Sequence, residues 1–336
     1  MTQPPAGHTR STARSSDAPA PRLVVVGGLT VDSILHADGS RSLGRAGGNT
    51  LWASAAIAAW GESVAIVAAR GEDYPDAALA GLAGAGVDTS AVRRLPGRHP
   101  LRISYAYDER GERVQPVPPD RRAALPASER GWFADSTVAG RRAAGADPAP
   151  DWIPEHWLGA VRGWHLPLVP LATHRALVAR LAGHGILQAD APNRSELSGF
   201  GDLAETLPLL DAFLPSMSDV AVFAPGTPPG AAHAAALAAG ARTVALKLGA
   251  DGVLVGGRHP VRLAPPPAGP PLVDATGAGD AFCGGFLVGL LRDGDPVEAA
   301  RHGVASASVA IATSDPVALA RTPRETMERI RTEVTG

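Results

Sequence analysis

At 336 residues the chain is long enough for one large α/β domain with an appendage, and a formal net charge of -2 with a pI near 6.6 excludes the electrostatic footprint of a protein that neutralises many nucleic-acid phosphates. A single cysteine, Cys283, with Phe282 and Phe286 around it, rules out an internal disulfide or a cysteine-rich metal site, reads as a buried inert thiol, and fits a reducing compartment. No stretch reaches the roughly eighteen apolar residues of a membrane-spanning helix, and residues 1–21 lack the apolar region of a secretory signal, so a cytoplasmic protein with neither membrane nor nucleic acid as partner is expected.

Residues 1–21 mix Pro, Ser, Thr, Ala and Arg and read as a disordered tail, because they bury too little surface to offset ordering entropy. Leu23–Val26, closed by Gly27 and Gly28, has the continuous apolar character of a central strand covered on both faces. Leu51–Trp60 reads as helix, Val64–Ala68 as strand and Asp76–Ala85 as helix. After residue 157 the alternation resumes through His165–Leu168, Thr173–Ala182, Ile186–Ala189, Val220–Phe223, Ala231–Ala239 and Thr243–Leu246, which predicts a doubly wound, mostly parallel sheet with helices on both faces.

Two stretches break that rhythm. Ser33–Arg45 is polar and glycine-containing, and in Arg102–Val114 the residues Ile103, Tyr105 and Tyr107 alternate before an Asp108–Gly111 turn, as in a β-hairpin. Together they predict a small β lid over 33–46 and 98–116, with 22–32, 47–97 and 117–336 forming the large domain. Residues 118–157 lose periodicity over more length than a connection needs and form an atypical insertion within the large domain. Its Trp132, Trp152 and Trp157, with Trp164 just beyond, either fold it over a ligand or anchor it to the sheet.

The chemistry concentrates in Asp274-Ala275-Thr276-Gly277-Ala278-Gly279-Asp280-Ala281-Phe282, a glycine-rich turn that opens an apolar helix ending near Gly294. Small residues at 277–279 let the chain pass close to a ligand, and the unpaired N–H groups of a first helical turn favour an anion. A carboxylate at Asp280 would repel a bound phosphate unless it performed proton chemistry beside it, and that conjunction points to phosphoryl transfer. The plainer reading is a backbone turn with Asp280 as a helix-terminal residue. Lys247 is the only lysine of an arginine-rich chain. It either serves as a compact charge for phosphates or closes a strand end with its head in solvent. His156, His165, His174 and His184 show no metal-ligand spacing.

The run from Asp274 to Phe282 resembles the second signature of the ribokinase (PfkB) family of carbohydrate kinases, D-[TA]-T-G-A-G-D-x-F. Gly47-Gly48-Asn49 with the helix after it is similar to the family's first signature, and Gly27–Asp32 to its opening strand and substrate-binding aspartate. Arg70–Asp73, Gly86–Ser90 and Lys247–Gly252 resemble further landmarks in the right order, over roughly 22–320.

The resemblance implies a ribokinase-like fold and transfer of the γ-phosphate of Mg²⁺–ATP to a hydroxyl of a sugar or sugar acid, with a nucleoside as the alternative acceptor and a catalytically silent ligand-binding protein as the alternative of another kind. It implies Asp280 as general base, with Gly277, Ala278 and Gly279 holding the migrating phosphoryl group, and Asp32, Gly47, Gly48 and Asn49 on the acceptor. Thr276, Gly277, Gly279, Lys247, Gly249 and Gly252 would line the nucleotide side, with His302–Ser308 as an adenine wall. Where the family has N-x-x-E, Ser216 and Asp219 stand, so Asp219 keeps the charge of an indirect metal contact with a shorter reach. Arg102 is either a partner for an acceptor carboxylate or a solvated residue. Family members are often dimers through an exposed lid, and some respond to a monovalent cation such as K⁺.

Overall fold

The computed structural model describes residues 20–107, 113–136, 145–267 and 269–336. Most of the expected tail, the Asp108–Gly111 turn and the middle of the insertion lie outside the described residues. Pro21, assigned to the tail, is buried.

In chain order the first elements are β1 (Leu23–Val26), β2 (Thr30–Leu35), β3 (Arg41–Gly47), α1 (Asn49–Ala59), β4 (Val64–Arg70), α2 (Asp76–Ala83), β5 (Val87–Asp88), β6 (Val92–Arg94), β7 (Arg102–Tyr107), β8 (Arg113–Val114) and α3 (Pro119–Ala123). Then come β9 (Gly163–Leu166), α4 (Leu171–Leu181), β10 (Ile186–Ala189), β11 (Ala212–Phe213), α5 (Met217–Phe223), α6 (Pro229–Ala238), β12 (Val244–Lys247), β13 (Val253–Gly256) and β14 (Val261–Leu263). The chain closes with α7 (Ala278–Asp293), α8 (Pro296–Ala310), α9 (Pro316–Ala320) and α10 (Arg324–Glu333). Among the described residues no helix is long and apolar enough to cross a membrane.

Ten strands form the main sheet, in the order β14-β13-β12-β11-β10-β9-β1-β4-β5, with β6 also pairing β4. Pairing is parallel from β11–β12 through β4–β5, and antiparallel only for β12–β13 and β13–β14. All of β1 is buried because its alternate side chains enter two different cores. Val24 and Val26 pack with Trp164 and Leu177 on one face, Leu23 and Val25 with Ile57 and Leu287 on the other. Helix α7 comes close to its neighbours through small residues: a side chain on Gly284 would overlap the Ala53 carbonyl, and one on Gly285 would overlap Ser306.

Val220–Phe223, one of the stretches of the alternation, lies in a helix. A reciprocal capping box, in which Ser216 Oγ accepts from Asp219 N and the Asp219 carboxylate accepts from Ser216 N, starts α5 at Met217, and the strand is the short Ala212–Phe213 before it.

A second sheet runs β3-β2-β7-β8, with β2–β7 parallel and its other pairs antiparallel. Its outer face is covered by the chain itself. Leu35 and Ala106 cluster with Val117, Leu125 and Phe133, and Ser104 Oγ donates to the Phe133 carbonyl at 3.1 Å. Residues 145–157 of the insertion pack elsewhere, burying Ile153 and Trp157 in the main core.

Candidate active site

Helix α7 opens at Gly277, whose left-handed conformation (φ 79°) turns the chain sharply and whose missing side chain leaves room for the Trp52 ring of α1. Asp274 Oδ1 accepts from Thr276 N at 2.9 Å and fixes the turn before it. The first helical bond runs from Ala281 N to Gly277 O at 2.8 Å. Ala278 N turns back to Ala275 O at 3.3 Å, so this expected donor is partly engaged, whereas Gly279 N–H has no partner among the described residues. Asp280, in the same first turn, is half-buried.

Beneath this turn lies Lys247, at the end of β12. Its Nζ donates to Asp190 Oδ2 at 2.6 Å and stands 3.4 Å from Cys283 Sγ, one helical turn beyond Asp280. Burial opposes the ammonium charge, but the Asp190 carboxylate outweighs it and holds Lys247 above the usual lysine range. Lys247 thus neither extends to solvent nor lies open in the cleft. The Cys283 thiol is pushed up by burial and is inert, as its apolar neighbours suggested. Gly249 and Gly252 form the turn that joins β12 to β13, and a side chain on Gly252 would overlap the Leu263 carbonyl.

On the other side of the cleft, Thr30 Oγ1 donates to Asp32 Oδ1 at 2.6 Å, and the Asp32 carboxylate lies flush against Gly47, where a side chain would displace it. Tyr74, whose hydroxyl burial keeps protonated, donates to Gly47 O at 3.3 Å. Gly48 approaches Gly28 so closely that a Cβ would stand 2.5 Å from its carbonyl oxygen. The Asn49 amide is occupied in tying loops together, accepting from Gly28 N at 3.2 Å and donating to Leu168 O at 3.0 Å. Register puts Arg45, Asp32 and Ile103 side by side across β3, β2 and β7, and Tyr105 two residues beyond Ile103 on the same face. Tyr105 reaches the turn that opens α7, its hydroxyl 3.2 Å from Thr276 Oγ1. Arg45 donates to Ser314 O at 2.5 Å and lies 4.0 Å from Asp274 Oδ2.

Three candidate residues stand differently from expectation. Arg102 projects from the opposite face of β7, buried, ion-paired to Asp73 and stacked 5.6 Å from the Trp132 ring, so it neither faces an acceptor nor is solvated. Asp219 is committed to the α5 capping box and to Arg194 at 3.1 Å. His302–Ser308 packs into the helix layer rather than lining a cleft: His302 lies against Trp60, and Trp60 Nε1 donates to Ser306 Oγ at 2.9 Å. Sequence reasoning missed Asp190 and Arg45. Asp190 follows a strand at its carboxyl end, the usual edge for ligand groups in such sheets, which is a readable signal. Arg45 carries none, because its contacts are with residues far along the chain.

Residues 169–322 match the pfkB family carbohydrate kinase pattern. A cytidine kinase of Thermococcus kodakarensis is 29% identical over 279 residues, covering 82% of this chain and 90% of that protein. The crystal structure of Arabidopsis thaliana ribokinase with ribose and ATP superposes with a TM-score of 0.67 at 18% identity, over 93% of this chain and 99% of that one. A putative ribokinase II from E. coli with ATP and Mg²⁺ does so with the same score, identity and coverage. The chain thus has the fold of these ribokinases and carries the pfkB family carbohydrate kinase pattern over residues 169–322.

Proposed function

We propose that the protein transfers the γ-phosphate of ATP to a hydroxyl of a neutral ribosyl compound, a nucleoside before a free sugar. The observation that carries the transfer is the unpartnered Gly279 N–H in the same helical turn as Asp280, with the Lys247 ammonium behind it. Such a turn suits an anion whose charge spreads over equatorial oxygens as it moves. Asp280 takes the proton of the acceptor hydroxyl as that oxygen attacks the γ-phosphorus, while the bond to the β–γ bridging oxygen breaks and ADP leaves. Gly277 and Gly279 keep the turn open to the phosphates, with Ala278 a weaker donor. Asp32 accepts from acceptor hydroxyls, and Gly47 and Gly48 admit them close to the backbone that Asn49 holds in place.

Mg²⁺ bound with ATP would supply charge neutralisation to the phosphates. Among the described residues no group of His, Cys, Asp and Glu could hold a metal by itself, which suits an ion carried mainly by phosphate and water, with Asp219 at most an outer contact. Gly249, Gly252 and Thr276 border the nucleotide side in this reading.

The outward orientation of Arg102 removes the reason to favour a sugar acid. The similarity to a cytidine kinase supports a nucleoside. Coupled ATP turnover with nucleosides, free pentoses and hexoses, and sugar acids tests this: a nucleoside should give the highest kcat/KM. A sugar acid as best acceptor would contradict the reading, and no product from any acceptor would favour a silent ligand-binding protein.

A further inference from the structure

We infer that Lys247 and Asp190 act as a positioning pair that sets the charge behind the phosphate-holding turn, and that Gln188 fixes the same helix start from beneath. The inference rests on the reading of that turn as the phosphate site. A methyl group placed on Gly279 would stand 3.8 Å from Lys247 Nζ, so the ammonium lies directly behind the residue whose N–H is free. Gln188 Nε2 donates to Cys283 O at 2.7 Å, so residues from two different strands grip the opening of α7.

Stability does not account for this pair. Lys247 is 9% and Asp190 7% exposed, and replacing a buried ion pair by packed apolar side chains is commonly neutral or stabilising. Asp190 also draws a backbone bond from Ala191 N at 2.8 Å, so its carboxylate is held rigidly against the lysine. A chain rich in arginine keeps its only lysine here. Between Asp190 Oδ2 at 2.6 Å and Cys283 Sγ at 3.4 Å the lysine presents a compact point charge, which a planar guanidinium with its fork of donors does not reproduce. An ammonium fixed before the phosphate arrives needs no reorganisation when charge develops, which is the condition under which such a charge assists transfer.

The test replaces the pair by neutral groups that keep a hydrogen bond, Lys247→Gln with Asp190→Asn, and separately by apolar groups, Lys247→Met with Asp190→Leu. Each folded double variant should lose about 10- to 100-fold in kcat and bind ATP more weakly, while its affinity for adenosine and its acceptor KM stay within about twofold. If one pair of changes fails to fold, the other carries the measurement. Unchanged kcat and ATP affinity in a folded double variant would make the pair merely structural and overturn the inference. Absence of ATP binding by the unaltered chain would instead strike the kinase reading, and this inference with it.

Discussion

The hydroxyl of Tyr105, on the small sheet, lies 3.2 Å from Thr276 Oγ1, on the turn that leads into Asp280. The small sheet therefore touches the turn that opens α7 directly, and Arg45 adds a second link to Ser314 and the Asp274 side. These contacts tie the small sheet to the Asp274–Gly277 turn.

Tyr105→Phe removes one hydrogen bond from that link and leaves the ring, which is wholly buried. A net loss of about 1 kcal/mol in transition-state stabilisation is expected, roughly a fivefold fall in kcat/KM, with the melting temperature nearly unchanged. Steady-state kinetics beside a thermal melt checks it.

Arg102→Met should behave in the opposite way. The guanidinium projects from the face of β7 opposite Tyr105, and its loss removes the stacking on the Trp132 ring and one ion pair of Asp73, which keeps Arg98 and the His99 N–H. Stability should fall by about 1–3 kcal/mol while the preference among neutral and acidic acceptors is unaltered. Chemical denaturation and the acceptor panel measure the two effects separately.

Acid should destabilise the fold through two histidines. Burial drives the pKa of His165 down to about 3, helped by Lys247, and that of His174 down to about 4, helped by Arg175, from an ordinary value of 6.5. Between these limits the unfolded chain binds protons that the folded chain refuses. Stability from both is complete above the unfolded value and drains as pH falls toward 4, by up to about 1.4 kcal/mol per pH unit for each residue. Neither ring nitrogen of His174 has a hydrogen-bond partner, so His174→Leu should flatten the dependence of melting temperature on pH between 6.5 and 4.

Much of this architecture was legible because it is written locally. The apolar run of β1 and the glycine turn at 277 each specify their structure within a few residues, and Ile103, Tyr105 and Tyr107 announced a strand by alternation. That same alternation already set Arg102 on the face opposite Tyr105. Which face meets the cleft depends on the contact of Tyr105 with Thr276, 171 positions away, and on the packing of Phe133 against the outer side. At Val220–Phe223 the apolar residues alone do not name the element, and the capping box before them, Ser216 with Asp219, starts a helix. The Lys247–Asp190 pair joins residues 57 positions apart and leaves no periodic trace.

The most direct measurement is single-turnover phosphoryl transfer by Asp280→Asn, an isosteric change that removes the base and keeps the first turn of α7 intact. With the best acceptor in hand, the rate should fall by about 10²- to 10⁴-fold, equivalent to roughly 3–5 kcal/mol of barrier, while the melting temperature and ATP affinity hold. A folded variant that turns over within about threefold of the unaltered protein would contradict the assignment of Asp280 as the base.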